Sequence, residues 1–424
     1  MSKNRTNPKI IMSWVYLLVL GLTLFVSSLL AQDIDNLNQG SIKQESYFQK
    51  IPYQNIGGML IVPVSINGKT YNFCFDTGAP LAISDKIFKE LNLPIIRQEK
   101  VRDASDRVED TKVISLPELH LQGITFINTI GLVLNEESDW IKCFGIDGFI
   151  GSNMLRNSAV KIDEQSKHII ITNNVERLSI KNGEWQDMKL DPYQSRPFIK
   201  IDLYQGEQVF VTDVVIFDTG FTGFYTMVTR FYNQCNDWCN TFFNDNDCVF
   251  FDKIAESEGS FTFSIYGVAE NQRHLLLNIP KLDINRTIFN NVVITATNDS
   301  TSRIGSELLQ YGKVTLDFIN KRFYFEAFEY IAKDGLSERP WAIGTTWQND
   351  KLVVGIIWDK ELESQINLGD EILSINGIDI RDIQSMSSSE YSTFYNKTSS
   401  NKERIYELKD IKTGKIKTVK IKRL

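Results

Sequence analysis

Histidine is scarce in this chain of 424 residues: three occur, His120, His168 and His274, too far apart to offer metal-ligand spacing. No G-x-S-x-G or H-E-x-x-H string is present, so a Ser-His-Asp nucleophile and zinc-dependent hydrolysis both lack their usual carriers. A basic surplus is missing too. Lys plus Arg number 46 against 53 Asp plus Glu, a formal charge of −7, which leaves no electrostatic footprint for nucleic-acid phosphates. There is no low-complexity tract, and 42% hydrophobic with 23% charged residues is the composition of a folded protein. At about 150 residues per domain, the length suggests roughly three units.

One long apolar run is present, and it stands at the start. Lys3, Arg5 and Lys9 precede residues 10–31, which carry no charge and end in Ser27-Ser28-Leu29-Leu30-Ala31. Residues 1–31 therefore read as a signal peptide cut after Ala31 or as an uncleaved membrane anchor, since the whole run is long enough to span a bilayer. Asp33 and Asp35 follow the run, so in either case the remainder is expected outside the cytoplasm: periplasmic, in the cell envelope or extracellular. Five cysteines remain, Cys74, Cys143, Cys235, Cys239 and Cys248. In an oxidising compartment the last three can supply one local disulfide, with the pairing unreadable. A zinc site there would lack a fourth nearby ligand. Cys74, inside an apolar run, reads as a small buried residue. No metal and no cofactor are expected.

Beyond a polar linker at residues 32–49, short alternating runs follow one another. Residues 60–66 alternate, Asn67-Gly68 turns, and residues 69–75 alternate again into Asp76-Thr77-Gly78-Ala79, which is a β-hairpin signature. Ser84-Asp85 then offers a cap for a short helix ending near Pro94. The plan recurs. Residues 198–204 alternate, Gln205-Gly206 turns, and the next strand ends in Asp218-Thr219-Gly220-Phe221. Further on, IGSNMLRNSAVKIDEQSKHIII from Ile150 aligns without a gap to IGSELLQYGKVTLDFINKRFYF from Ile304. The chain thus contains two copies of one plan, at residues 50–180 and 181–332. If the halves pack about a pseudo-twofold axis, Asp76 and Asp218 come face to face. Two carboxylates in contact share one proton: one can take a proton from a water between them while the other donates to a carbonyl oxygen. Thr77 and Thr219 would bond across the pair, and Gly78 and Gly220 would allow the close approach.

FCFDTGAPLAIS around Asp76, IFDTGFTGFYTM around Asp218 and the two Ile-Gly-Ser segments resemble the retropepsin- and pepsin-type aspartic proteases, specifically secreted bacterial members with both lobes in one chain. The resemblance spans about residues 53–328. It implies a mainly β, bilobal fold with Asp76 and Asp218 as the catalytic dyad, supported by Thr77, Gly78, Thr219 and Gly220. A flap over the cleft is implied near Ala104-Ser105 in the first lobe or Tyr266-Gly267 in the second. Two positions depart from the family pattern. Phe221 stands where a small residue is usual, and Arg303 precedes Ile304-Gly305 where Phe149 precedes the first copy. These departures keep open a second reading, an inactive relative that binds peptides without cutting them.

After a linker at residues 333–339, the sequence LGDEILSINGIDI at residues 368–380 resembles a PDZ domain signature, with the match covering residues 340–424. A polar helical stretch around residues 383–395 and a last strand pair around Thr413-Gly414 complete it. The resemblance implies peptide capture as an added strand, with the loop at Ile343, Gly344, Thr345 and Thr346 near a terminal carboxylate. Together these readings give an exported aspartic endopeptidase acting on peptide or protein substrates, with a PDZ domain delivering substrate or regulating access. The rival is a catalytically inactive, PDZ-containing peptide-binding or scaffold protein of the cell envelope. No nucleic-acid partner is expected, and the membrane enters only through an uncleaved anchor.

Overall fold

A computed structural model of the chain describes residues 36–135, 145–180, 184–206, 209–243, 248–260, 263–264, 266–328, 335–348, 351–380 and 402–424. The chain divides between Leu37 and Asn38. The apolar run at residues 10–31 lies outside the described residues, as do Cys143 and the helical stretch expected around residues 383–395. Among the described residues no helix is long and apolar enough to cross a membrane.

The unit from Asn38 onward is mainly β and repeats one arrangement twice, as the sequence copies imply. In the first half Met59–Ile66 turns through Asn67 and Gly68, at φ 50° and 76°, into Lys69–Asp76. Both turn residues adopt the left-handed region that suits a tight hairpin. In the second half Pro197–Gln205 pairs with Val209–Asp218 in unbroken register. A further strand runs parallel beside each: Gly148–Gly151 puts Gly151 opposite Asp76, and Arg303–Gly305 puts Gly305 opposite Asp218. Each Ile-Gly-Ser segment thereby lies against its own Asp-Thr-Gly turn. The helix Asp85–Leu91 begins at Ser84, whose side chain accepts from the Ile87 amide at 3.4 Å, and ends at Asn92 in the left-handed conformation.

A six-stranded antiparallel sheet joins the halves, running Gln186–Asp187, Arg322–Ala327, Gly312–Asp317, Ala159–Asp163, His168–Thr172 and Phe48–Pro52. Its central register carries the symmetry. The sequence repeat equates Val160 with Val314 and Ile162 with Leu316, and the sheet sets Val160 opposite Leu316 and Ile162 opposite Val314. Such cross-pairing is what a twofold axis between two antiparallel copies produces. The apolar faces of both halves meet in one continuous core that includes Phe73, Phe75, Val160, Phe217, Leu316 and Phe323.

Within the polar stretch expected as a linker, residues 41–49 are held in place. Ser41–Ile42 pairs with Phe126 and Ile127, and Phe48 opens the strand paired with His168–Thr172. Specific contacts hold it: the Gln44 carboxamide accepts from the Thr125 amide at 3.0 Å, and the buried Tyr47 hydroxyl lies 2.8 Å from Ser158 Oγ.

The described residues from Pro340 onward form a unit of small β-strands around a core of their own, including Ile343, Val354, Ile372, Tyr406, Leu408 and Ile421. Its Leu-Gly-Asp segment is a built turn. Gly369 sits at φ 85°, and the fully buried Asp370 accepts from the amides of Asn367 and Ile411 at 2.8 and 2.9 Å and pairs with Lys417 Nζ at 2.6 Å. Asn376-Gly377 makes the next turn, at φ 53° and 75°. The unit extends the second-half sheet, with Gly259 of Asp252–Gly259 opposite Ile356 of Lys351–Ile357. Leu276, Ile356 and Trp358 are buried at this seam.

Cys239 and Cys248 are disulfide-bonded, while Cys74 and Cys235 are buried free thiols. The bond answers the open pairing among the last three cysteines and removes two of the three ligands a zinc site there would have needed.

Candidate active site

Asp76 and Asp218 each end a buried strand, and the turns that follow them interlock. The Thr77 amide donates to Thr219 Oγ1 at 3.1 Å and the Thr219 amide to Thr77 Oγ1 at 3.1 Å. Each hydroxyl in turn donates across the axis at 2.6 Å, Thr77 to the Phe217 carbonyl and Thr219 to the Phe75 carbonyl. Both threonines have 0% exposure, so all four polar groups depend on one another for satisfaction.

The carboxylates are oriented by backbone amides. Asp76 Oδ1 accepts from Gly78 and Ala79 at 2.8 and 3.0 Å; Asp218 Oδ1 accepts from Gly220 and Phe221 at 2.9 and 3.3 Å. The turns approach too closely for any side chain after the threonine. A Cβ on Gly78 would stand 2.4 Å from Asp218 Cγ, and one on Gly220 2.3 Å from Asp76 Oδ2. Each carboxyl thus sits against the glycine of the opposite turn, which sets the two acids face to face across the axis. Burial raises the Asp76 carboxyl well above the ordinary carboxylate range, and the neighbouring Asp218 charge raises it further, against the opposing pull of the Gly78 and Ala79 amides. The structure thus brings together Asp76 and Asp218, the two residues that the sequence repeat places at equivalent turns.

Phe221 leaves the second turn intact. Its ring occupies space that glycines leave open: a Cβ on Gly223 would stand 2.6 Å from its Cζ, and one on Gly305 2.6 Å from its Cδ1. Arg303 lies over the same ring, its guanidinium carbon 5.4 Å from the centroid, and pairs with Asp299. The two departures from the motif are therefore one packing arrangement. The amide donors to Asp218 belong to the backbone and survive it.

Sequence reasoning overlooked the serines of the two Ile-Gly-Ser segments as site residues. The Ser152 amide donates to the Ala79 carbonyl at 2.9 Å, and its hydroxyl crosses to the Gln194 carbonyl at 2.8 Å. Equivalently, the Ser306 amide donates to the Phe221 carbonyl at 2.8 Å, and its hydroxyl to the Gly58 carbonyl at 2.7 Å. Gln194 Nε2 also donates to the Gly78 carbonyl at 3.0 Å. Each serine thus ties its own turn to the opposite half. Their only sequence signal was recurrence at equivalent places.

The two places that the sequence offered for a flap touch each other. The hairpin of Ile95–Arg102 and Val108–Leu121 brings Arg107 to the hairpin of Phe263–Ser264 and Gly267–Val268. Arg107 Nη1 donates to the Tyr266 and Val268 carbonyls at 2.6 and 3.0 Å. Thr111 Oγ1 lies 2.8 Å from the Tyr266 hydroxyl, and Ser264 Oγ donates to Asp103 Oδ2. On the other side Tyr193 bonds Glu99 of the first hairpin, and the adjacent Gln194 is the residue on the Gly78 carbonyl. The latched hairpins are thereby connected to the dyad turn.

Ile343, Gly344, Thr345 and Thr346 open the strand Ile343–Gln348 of the last unit. The first three line a cleft of about 370 Å³ with Leu276, Val293, Trp341 and Arg404. No dyad residue lines it, so the structure keeps this group apart from Asp76 and Asp218.

Residues 62–154, which hold Asp76 and the first Ile-Gly-Ser segment, match the family model described as aspartyl protease. No curated protein matches the chain. Among solved structures, an aspartic proteinase from Irpex lacteus is 11% identical, with 68% of this chain and 99% of that one covered at a TM-score of 0.42. A retropepsin-like aspartic protease from Rickettsia conorii is 19% identical over 32% of this chain and 94% of that one, with a TM-score of 0.23. Basic 7S globulin from soybean is 10% identical over 69% of this chain and 99% of that one, with a TM-score of 0.39.

Proposed function

We propose that this chain is an exported aspartic endopeptidase in which Asp76 and Asp218 activate a water for attack on a peptide carbonyl. The observation that carries the reading is the contact between two buried carboxyls held in symmetric, threonine-locked turns, with Asp76 pushed toward its protonated form. Asp76 then serves as the acid and Asp218 as the base. The water's proton passes to Asp218 as its oxygen bonds the carbonyl carbon, and the Asp76 proton moves to the carbonyl oxygen. In the collapse of this tetrahedral species the amide nitrogen receives the proton held by Asp218, the C–N bond breaks and the proton on oxygen returns to Asp76. No metal or covalent intermediate is required by this sequence.

The last unit serves as a PDZ domain in this reading. Its strand Ile343–Gln348 pairs, among the described residues, with Lys351–Ile357 on one edge, which suits an extended peptide on the other. Export follows from the apolar amino terminus, and the disulfide Cys239–Cys248 suits an oxidising compartment. The test is mass-spectrometric detection of products after residues 32–424 are incubated with a diverse peptide pool at several pH values, beside Asp76→Asn. Products that vanish in the variant support the enzyme. A folded protein that binds peptides but yields no product at any pH would favour the non-cutting peptide binder.

A further inference from the structure

We infer that the carboxy-terminal domain is a clamp on the cleft: it holds the second-half hairpin that latches the flap tip, and so sets how readily the cleft opens. The inference rests on the reading of the cleft as a substrate site. Its basis is an unbroken line of contacts from strand Lys351–Ile357 to Arg107.

The line starts at the seam. Gly259 lies opposite Ile356, the Ser260 amide donates to the Gly355 carbonyl at 2.8 Å, and Ser257 Oγ donates to the Ile357 carbonyl at 2.6 Å. The backbones touch with no room for a side chain. A Cβ on Gly259 would stand 2.3 Å from the Gly355 oxygen, and one on Gly355 2.1 Å from the Ser260 oxygen. Ser260 is also the base of the latching hairpin, because its hydroxyl donates to the Ala269 carbonyl and so closes the loop that carries Ser264, Tyr266 and Val268. The hairpin further packs against strand Ile343–Gln348.

At its far end the hairpin offers the two carbonyls taken by Arg107 and the side chains that meet Thr111 and Asp103. In this reading the two bonded hairpins form the flap over the cleft, and a polypeptide enters only when these bonds break. Their strength depends on the hairpin staying where Ser260 and Gly355 hold it. An anchor in the carboxy-terminal β unit at that point gives that unit leverage over the flap from outside the dyad turns. Whatever loosens the Gly355–Ser260 seam frees the flap tip.

Hydrogen–deuterium exchange on the full chain tests this, read at the flap tip, residues 103–107, and at the hairpin, residues 260–269. Arg107→Ala removes two charge-assisted bonds and should raise flap-tip exchange roughly tenfold or more. Gly355→Val, which drives a side chain into Ser260, should raise flap-tip exchange to a similar level although it lies in another domain. The double variant should exceed neither, since both break one line. Lys420→Ala, in the final hairpin, is the control and should leave the flap tip at the wild-type rate. Flap-tip exchange unchanged in Gly355→Val, or additive in the double variant, would overturn the clamp. If Gly355→Val does not fold, Ser257→Ala replaces it with an expected rise of about threefold from one lost hydrogen bond, and an unchanged flap tip there counts against the clamp equally. Peptide cleavage assayed in parallel keeps the two readings apart. Coupled exchange without cleavage would defeat the catalytic reading alone, and cleavage with uncoupled exchange would defeat the clamp alone.

Discussion

Arg303 lies over the ring of Phe221, 5.4 Å from its centroid, and the equivalent residues of the other half are Phe149 and Ala79. The second half therefore carries its aromatic ring on the Asp-Thr-Gly turn, and the first carries it on the neighbouring strand. Considered alone, either residue looks like decay of a catalytic motif. Together they form a compensated pair, with the ring seated over Gly223 and Gly305 and the arginine bridging it to Asp299.

Phe221→Ala should accordingly cost stability more than chemistry. It removes a half-buried ring and its cation contact, worth roughly 1–3 kcal/mol, while the two backbone amides on Asp218 remain. Thermal unfolding and peptide turnover measured side by side should show a lowered Tm with kcat within about tenfold of wild type. A complete loss of turnover in a folded Phe221→Ala would mean that the ring itself shapes the dyad.

The Arg303–Asp299 pair makes the opposite kind of prediction. Their side chains are 12% and 2% exposed, and among the described residues Asp299 Oδ1 has no hydrogen-bond partner. Arg303→Met should therefore strand a buried charge and destabilise by roughly 3–5 kcal/mol, with much of the loss restored when Asp299→Asn is added. Urea unfolding of the two single variants and the double closes the cycle.

The dyad turns, their hairpins and the internal repeat were legible because each is a short local pattern: alternation, an Asn-Gly or Gln-Gly turn, an Asp-Thr-Gly. What escaped is non-local. Phe221 and Arg303 were each visible as exceptions, yet nothing in linear order says that they touch. The two hairpins that the sequence offered as alternative flap places were legible as turns, whereas the Arg107 contacts that join them depend on how two halves close. The strand Phe48–Pro52, with Lys50 and Pro52 in it, has a weak pattern of its own. Its partner His168–Thr172 supplies the ladder, so tertiary pairing overrode propensity there.

Thr77 and Thr219 should prove equivalent despite standing in different halves. Either alanine variant removes a hydroxyl that both donates and accepts, leaving a buried carbonyl and a buried amide unpaired, at a cost of roughly 2–4 kcal/mol. Serine keeps the hydroxyl and should recover most of it. Denaturant midpoints for Thr77→Ala, Thr219→Ala and the two serine variants check this, and a large difference between the two alanines would contradict the symmetric lock.

The raised Asp76 carboxyl fixes the sign of the pH response. Because its folded-state pKa lies above the ordinary value of 3.8, the folded protein binds a proton there that the unfolded chain has released over the intervening range. Stability from this group is fully present below the ordinary carboxylate value and is lost as pH rises through the folded value. The same rise removes the proton that the mechanism requires of Asp76, so turnover should fall on the alkaline side together with this part of the stability. Asp76→Asn separates the two effects. The amide cannot ionise, so unfolding free energy measured across pH should lose its alkaline decline relative to wild type, while turnover should be reduced by 10⁴-fold or more, on the order expected for loss of a dyad member. If the decline persisted unchanged in Asp76→Asn, the raised group would not be Asp76 and its assignment as the acid would fall.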